Sequence, residues 1–216
     1  MENGVEILYE DNHLLVAYKP RGILAQADGK DLPDMLTILK DYLKEKYHKP
    51  GNVYLGLVHR LDLNTAGVMV FAKTSKAASR LSLDIKEHRF EKRYLAIVEG
   101  KILKDGSIKS FLQKDERHLR AIISPVGQEA NLDYKVIKHG SINNVEVTYV
   151  DILLHTGRFH QIRAQFSSID HPLFGDTKYG SKNIISKDAF PLEAYHLGIY
   201  HPITKDWLTF EKKTII

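Results

Sequence analysis

One segment of the chain is more informative than any other: HRLDLNTAGVMVFAK, residues His59 to Lys73. A basic, an acidic and several small residues stand directly before Val68 to Ala72, an apolar run that predicts a buried strand. Side chains on a loop that a rigid strand positions are well suited to catalysis or binding. Taken alone, the Arg-Leu-Asp sequence has a simpler explanation, a turn in which Asp62 caps backbone amides and Arg60 forms a surface ion pair. Other segments are needed to decide between these explanations.

The composition of the chain is that of an ordinary globular protein. Its 216 residues are 43% hydrophobic and 27% charged, which suits one large domain or two small ones. The absence of cysteine excludes disulfides and thiolate metal sites. The formal net charge of +4 is compatible with a nucleic-acid partner without requiring one. Because the N-terminal residues carry acids and no long apolar run, we expect neither a signal peptide nor a membrane span. We therefore expect a cytoplasmic protein.

Short apolar segments with turn residues between them predict the secondary structure. Strands are expected at Val5–Tyr9, Leu14–Tyr18, Val68–Ala72, Tyr94–Val98, Ala121–Ile123, Leu132–Ile137, Val145–Leu154 and Leu208–Phe210, and helices at Met35–Tyr47, Ser75–Arg89 and His160–Ile169. Strands often follow strands, which favours an α+β fold with a largely antiparallel sheet over a doubly wound parallel sheet.

Two further segments place basic and aromatic residues beside each other. In EKRYLAIVEG, Tyr94 follows Lys92 and Arg93 at the start of a strand. Tyr94 fits two roles. It can be an ordinary half-buried aromatic residue of a strand, or its ring can stack on an unpaired base while Lys92 and Arg93 hold phosphates. In LLHTGRFHQIRAQF, the residues that cluster around a predicted helix start are Arg158, His160, Gln161 and Arg163. Helix N-termini favour anions, so this segment is a candidate phosphate or carboxylate site.

Two other segments allow more than one explanation. The residues Lys73 to Arg93 carry seven cations against three acids, which fits a solvated helix face or a track for phosphates. The Gly-containing segment HPLFGDTKYG, His171 to Gly180, fits a binding turn or plain scaffold. Neither composition nor spacing decides these cases.

Taken together, these segments resemble the RluA family of RNA pseudouridine synthases. HRLDLNTAGVMVFAK is similar to the active-site motif of that family, and ILYEDNHLLVAYKPRG, KRYLAIVEG, TGRFHQIR, HPLFGDTKYG and YHLGIYHP resemble other family segments in the same order. The resemblance runs from about Ile7 to Phe210. It implies the pseudouridine synthase fold, a curved, largely antiparallel mixed sheet flanked by helices and loops, with RNA in a central cleft.

The resemblance also implies roles for single residues. Asp62 matches the catalytic aspartate, Tyr94 the tyrosine that faces the base, and Arg163 the basic residue that pairs with the aspartate. Arg60 matches the arginine that holds the RNA open. The other residues that we expect to contact RNA are His59, Thr65, Lys92, Arg93, Arg158, His160 and Gln161.

The sequence departs from the family pattern at three positions. Ala66 stands where Ser is usual, Gln26 where many members have His, and Gly198 where Ala is more common. None of these changes removes a catalytic group, so they bear on the choice of substrate and leave the chemistry intact. Because the pattern begins within the first ten residues, we expect a single catalytic domain over residues 1–216, without an additional N-terminal RNA-binding domain, acting as a monomer.

The residue types suit the reaction that the resemblance implies. Uridine becomes pseudouridine when the base detaches from the ribose, turns and reattaches through carbon 5, so nothing is hydrolysed and one carboxylate can serve where glycosidases need two. Asp62 would attack the sugar or the base, or act as a base on the ribose. We expect Arg163 to keep Asp62 charged in a pocket that excludes water, and the target uridine to be flipped out of rRNA or tRNA.

Two other classes of protein fit the sequence less well. A metal-dependent hydrolase would need histidines at ligand spacing, but no HxH or HExxH occurs, so we expect no metal and no cofactor. A catalytically silent RNA-binding protein would have no chemical reason to keep Asp62, Tyr94 and Arg163 together. The sequence therefore favours the enzyme.

Overall fold

The computed structural model describes residues 4–29, 32–185 and 189–215. Its contacts divide the chain into two compact units, one of Met1–Phe90 and Tyr195–Lys212, the other of Glu91–Ala194 and Lys213–Ile216. The first unit is therefore built from two separate pieces of sequence. The expectation of one catalytic domain over residues 1–216 stays a prediction.

Within the described ranges, the chain forms eleven strands and three α-helices. In chain order they are β1 Glu6–Glu10, β2 Leu14–Lys19, α1 Met35–Lys46, β3 Gly56–Leu57, β4 Ala66–Ala72, α2 Ser75–Lys86, β5 Glu91–Glu99, β6 Gly106–Asp115, β7 Arg120–Ile123, β8 Gln128–Ile142, β9 Val145–Leu154, α3 Gln161–Ser168, β10 Leu192–Tyr200 and β11 Trp207–Glu211. A short 3-10 turn, Thr177–Tyr179, follows α3.

In the first unit, β4 lies between β2 and β10, with β1 beyond β2, β11 beyond β10 and β3 paired to β4. The β1–β2, β2–β4, β3–β4 and β10–β11 pairs are antiparallel. All seven residues of β4 are buried, which explains why this strand is a continuous apolar run in the sequence. Its first residues follow directly on the turn that contains Asp62, so a fully buried strand supports the candidate catalytic loop.

The two helices of the first unit begin at polar caps. Asp34 accepts a hydrogen bond from the backbone N–H of Thr37 at the start of α1, and Thr74 accepts one from Ala77 at the start of α2. Ala77 and Leu81 of α2 are fully buried in the same apolar cluster as Val68 and Val70 of β4. This packing fixes β4 from one side.

In the second unit, the strand order is β5-β9-β8-β6-β7, and each neighbouring pair is antiparallel. The short helix α3 packs through Ala164 against Leu112, Ala121 and Ala130 of the strands, together with Tyr179. Since α3 is two turns long, this packing has to hold it in place, and propensity alone would not.

The predicted fold class is confirmed: the protein is α+β with a large, mostly antiparallel sheet. The expected strands and helices all occur, with bounds that shift by a few residues. Three strands, β3, β6 and β10, were not predicted. Within the part of the chain that the structure describes, no helix has the length and apolar character needed to cross a membrane.

Candidate active site

The Asp62 segment forms a tight turn that leads into β4. The backbone N–H of Thr65 donates to the carbonyl of Asp62 at 3.1 Å, and β4 begins one residue later. Behind the turn, Nε2 of His59 accepts the N–H of Val70 at 3.0 Å, which holds the segment against β4. A ring nitrogen that accepts cannot carry a proton, so His59 contacts β4 through an unprotonated Nε2. His59 therefore has a positioning role that the sequence did not reveal.

A buried lysine supports the same turn. Lys19, the last residue of β2, is fully buried, and its Nζ donates to the carbonyls of Ile23 at 2.7 Å, Pro20 at 3.1 Å and Leu63 at 3.1 Å. The Leu63 carbonyl also accepts the N–H of Gly22 at 3.0 Å. Gly22 has a φ of +79°, a conformation that favours glycine. The residue that follows Asp62 is thus fixed from two directions.

Lys19 also places a positive charge near Asp62. Burial lowers the pKa of Lys19 to about 7, and the negative charge of Asp62 opposes this shift. By the same electrostatic interaction, protonated Lys19 favours the charged form of Asp62. Lys19 lies in the AYKPRG segment, and the sequence did not indicate its role.

Arg163 lies on α3 and is buried in a dense set of contacts. Its Nε and Nη2 donate to the two oxygens of Asp176 at 2.6 and 2.8 Å, and its Nη1 donates to Nε2 of His160 at 3.1 Å. The rings of Tyr179 and Phe190 lie 4.8 and 4.4 Å from the guanidinium carbon. Three of the five N–H groups are therefore used inside the second unit. The predicted pairing of Arg163 with Asp62 stays a prediction, and Asp176 is an acid partner that the sequence did not reveal.

His160 is a neutral residue in this environment. Burial, followed by the charges of Arg163 and Lys178, lowers its pKa to about 3. Because Nε2 accepts from Arg163, the proton lies on Nδ1, which donates to the Tyr179 hydroxyl at 2.9 Å. This histidine carries no charge with which to hold a phosphate, and its predicted RNA contact gains no support from the geometry.

Gln161, the next residue, is buried and hydrogen-bonded within the protein. Its side-chain oxygen accepts from Thr156 Oγ1 at 2.8 Å and from the N–H of Arg158 at 3.0 Å, and its nitrogen donates to Asn131 and Gln165. These four hydrogen bonds use both acceptor sites of the amide oxygen and both N–H groups of the amide nitrogen. Gln161 therefore stabilises the loop before α3, and its predicted contact with RNA stays a prediction.

The cations near the start of β5 differ in their partners. Arg93 forms an ion pair with Asp151 at 2.5 Å. Lys92, by contrast, has its pKa lowered by burial and by the charge of Arg158. Arg158 donates its Nε to the Glu129 carbonyl at 2.9 Å. Two like charges are thus held near each other, an arrangement that an anion would stabilise.

The remaining predicted residues differ in exposure. Arg60 is exposed, Asp62 is half-buried, and Thr65 is 2% exposed, so Thr65 serves the turn through its backbone. Tyr94 is 8% exposed and lies opposite Ile152 in the sheet. Among the residues with described positions, no group of three or more histidines and acids is arranged to hold a metal ion. Independence from metal and cofactor stays a prediction.

Comparison with known proteins identifies the family. The family model described as RNA pseudouridylate synthase matches residues 13–168, which include the Asp62 turn, β5 and α3. The chain belongs to the RNA pseudouridine synthase family. The resemblance to the RluA type is thereby confirmed, and the protein is an isomerase of uridine in RNA.

Members of the family resemble the whole chain. A protein of Aquifex aeolicus named "Uncharacterized RNA pseudouridine synthase" is 36% identical over 218 residues, covering 96% of this chain and 68% of its own length. "Ribosomal large subunit pseudouridine synthase D" of Zymomonas mobilis is 34% identical, with the same two coverages. Among solved structures, "Human RNA Pseudouridylate Synthase Domain Containing 1" has a TM-score of 0.78 at 25% identity, over 99% of this chain and 86% of that one.

Proposed function

We propose that the protein converts specific uridines to pseudouridine in structured RNA, with Asp62 as the catalytic carboxylate. The observation that carries this proposal is the Asp62 turn itself. It is held by His59 and by Lys19, which is fully buried and supplies a positive charge. A carboxylate kept in one place beside a buried cation is suited to nucleophilic or base catalysis.

The other residues serve the same reaction in this proposal. Tyr94 offers its ring to the flipped base, and Arg60, which is exposed, occupies the space that the base leaves. Arg163 is the basic residue that keeps Asp62 charged in this proposal. Lys92 and Arg158 hold phosphates of the RNA backbone.

Large-subunit ribosomal RNA is the substrate class that we propose. The support comes from relatives named for the ribosomal large subunit, such as the Zymomonas mobilis protein and its counterpart in Yersinia pestis, which is 34% identical. Action on transfer RNA, the monomeric state and the cytoplasmic location remain predictions from the sequence.

The central test replaces Asp62 with Asn. We expect Asp62→Asn to lower the single-turnover rate of pseudouridine formation by about 10²-fold or more, because the amide can act neither as nucleophile nor as base. RNA affinity and thermal stability should change little. The rate is measured by nucleotide analysis of large-subunit ribosomal RNA transcripts, with transfer RNA transcripts in parallel.

Asp41→Asn is the matched control, because it removes the same charge from an exposed position on α1 of the same unit. It should retain the wild-type rate. An Asp62→Asn enzyme with a tenth or more of wild-type turnover would contradict the assignment of Asp62. If pseudouridine formed only in the transfer RNA transcripts, the proposed substrate class would be wrong, but the assignment of Asp62 as the catalytic carboxylate would not be affected.

A further inference from the structure

An exposed aromatic ring lies beside the candidate RNA-contacting residues and is not explained by the reaction. Phe159 precedes α3 and is 39% exposed. One face of its ring stacks on the imidazole of His160, with centroids 3.8 Å apart and planes inclined by 19°. Single exposed hydrophobic residues are common and need no explanation. Phe159 differs from them because the ring beneath it is itself fixed.

His160 is held from both sides of its ring. It adopts the left-handed conformation with φ of +49°, donates through Nδ1 to Tyr179 and accepts through Nε2 from Arg163. Tyr179 in turn accepts the backbone N–H of Ala121 at 2.6 Å. These bonds connect the Phe159–His160 pair to the sheet of the second unit. A ring supported in this way loses little conformational entropy when a ligand stacks on it.

The surroundings of the stack are positively charged. Nζ of Lys114 lies over the Phe159 ring, 5.4 Å from its centroid. Lys114 also forms an ion pair with Glu116, whose side chain is 73% exposed, so this ion pair is weak. Lys178 contributes to the positive field at His160 and donates to the Leu119 carbonyl at 3.3 Å. An aromatic face with cations around it is complementary to a nucleobase and its phosphates.

We propose that Phe159 is a stacking platform for a nucleobase of the RNA substrate, and that Lys114 contacts an adjoining phosphate. The ligand class rests on the proposed function, since the protein acts on RNA. The proposed contact is with a base other than the uridine that reacts. Every base has a π-face, so this contact adds affinity with little sequence selectivity.

The test compares Phe159→Ala with Phe159→Trp, which keeps an aromatic face, and with Phe111→Ala. Phe111 is the control because it is a phenylalanine of the same unit that is 50% exposed. The probe is a fluorescein-labelled oligouridylate of twelve nucleotides, and binding is followed by anisotropy. We expect Phe159→Ala to weaken binding about 5- to 150-fold, as for loss of one base–aromatic stack. Phe159→Trp and Phe111→Ala should stay within about threefold of wild type.

Salt dependence separates the two contacts of the proposal. Lys114→Ala should reduce the slope of log K against log salt by about 0.7, the value for one phosphate of a single strand. Phe159→Ala should lower the affinity and leave that slope unchanged, because stacking releases no counterions. Irradiation at 254 nm followed by peptide mass spectrometry should locate a uridine adduct on the peptide that contains Phe159.

The proposal is overturned if Phe159→Ala binds oligouridylate as tightly as wild type does, or loses no more affinity than Phe111→Ala. A wild-type protein that fails to bind oligouridylate at low salt would overturn it as well, since a protein or other partner would then have to cover the ring. Failure of the proposed function has a different signature. If the proposed function is wrong, Asp62→Asn remains active. The affinities of the Phe159 variants for oligouridylate are measured independently of that activity.

Discussion

Lys19 both holds the loop that carries Asp62, through hydrogen bonds to backbone carbonyls, and places a positive charge near the Asp62 carboxylate. Lysine is among the residues that are least often fully buried, and burial here leaves its ammonium bonded to three carbonyls. Removing the side chain would leave these carbonyls, including that of Leu63, without a donor. The loop that carries Asp62 therefore depends on a residue more than 40 positions earlier in the chain.

The pKa of Lys19 predicts an unusual dependence of stability on pH. Its value of about 7 in the folded protein lies below the ordinary value of 10.5, so between these values the unfolded chain binds more protons. The cost of burying the charge is fully present below pH 7 and is relieved as the pH rises. From pH 7 to 9, the free energy of unfolding of wild type should increase by about 2 kcal/mol relative to Lys19→Met.

The measurement is urea unfolding of both proteins at each pH. Lys44→Met, at an exposed position of α1, controls for the loss of a lysine charge. A difference between wild type and Lys19→Met that stays constant with pH would mean that Lys19 does not titrate in this range.

The Arg163–Asp176 ion pair predicts a large structural effect of single substitutions. Both side chains are buried, 7% and 2% exposed, and two hydrogen bonds join them. Leaving one buried charge without its partner costs about 3–5 kcal/mol. Arg163→Met and Asp176→Asn should each lower the free energy of unfolding by an amount of this order, as measured by urea denaturation.

The double variant Arg163→Met/Asp176→Leu separates structure from catalysis. With both charges removed, the free energy of unfolding should recover in part, because no buried charge is left unpaired. If the double variant folds but forms pseudouridine at less than a tenth of the wild-type rate, Arg163 supports catalysis beyond its packing. Full activity of the double variant would assign Arg163 to the scaffold alone.

At the scale of elements, the loop before α3 and the first residues of β5 form one cationic surface. Lys92 and Arg158 repel each other there, whereas Arg93 is neutralised by Asp151. We therefore expect Lys92→Gln and Arg158→Gln each to reduce the slope of log K against log salt by about 0.7–0.9 for RNA binding. Arg93→Gln should reduce it less.

Fluorescence anisotropy with a large-subunit ribosomal RNA fragment at several salt concentrations measures these slopes. The three variants remove one charge each from the same region, so each serves as control for the others. Equal slopes for wild type and Lys92→Gln would exclude Lys92 as a phosphate contact.

The elements that the sequence predicted are those with a clear apolar pattern. β4 is buried on both faces and is a continuous apolar run, and α2 presents Ala77 and Leu81 at helical spacing. β6 was missed because only Ile108 and Leu112 of its ten residues are buried, among Ser, Lys and Gln. β10 was missed because its buried face includes Glu193, whose charge is satisfied by Thr214 and Ile215.

The candidate site was predictable only in part for a related reason. Asp62, Tyr94 and Arg163 lie in motifs, so a resemblance can identify them. The partners Lys19 and Asp176 act through tertiary contacts, and no sequence spacing indicates that Lys19 reaches Leu63 or that Asp176 reaches Arg163. The sequence also did not indicate that His160 and Gln161 are hydrogen-bonded within the protein, and their predicted contacts with RNA stay predictions.

At the scale of the whole molecule, the first unit is discontinuous in sequence. Its second piece, Tyr195–Lys212, supplies most of β10 and all of β11. Leu197 and Ile199 of β10 complete the apolar cluster that β4 and α2 begin. The unit that holds Asp62 therefore requires residues from nearly the full length of the chain.

This discontinuity has a consequence for biosynthesis. A ribosome makes the chain from its N-terminus, so the first 90 residues emerge while β4 still lacks β10 as a neighbour. The 104 residues from 91 to 194 must be translated first, which takes about 5–20 s at bacterial or eukaryotic rates of about 5–20 residues per second. During that interval, the strand that carries the catalytic loop has an open edge and an incomplete apolar face. Transiently exposed apolar surface and open strand edges favour aggregation, and the second unit has the opportunity to fold before the first is complete.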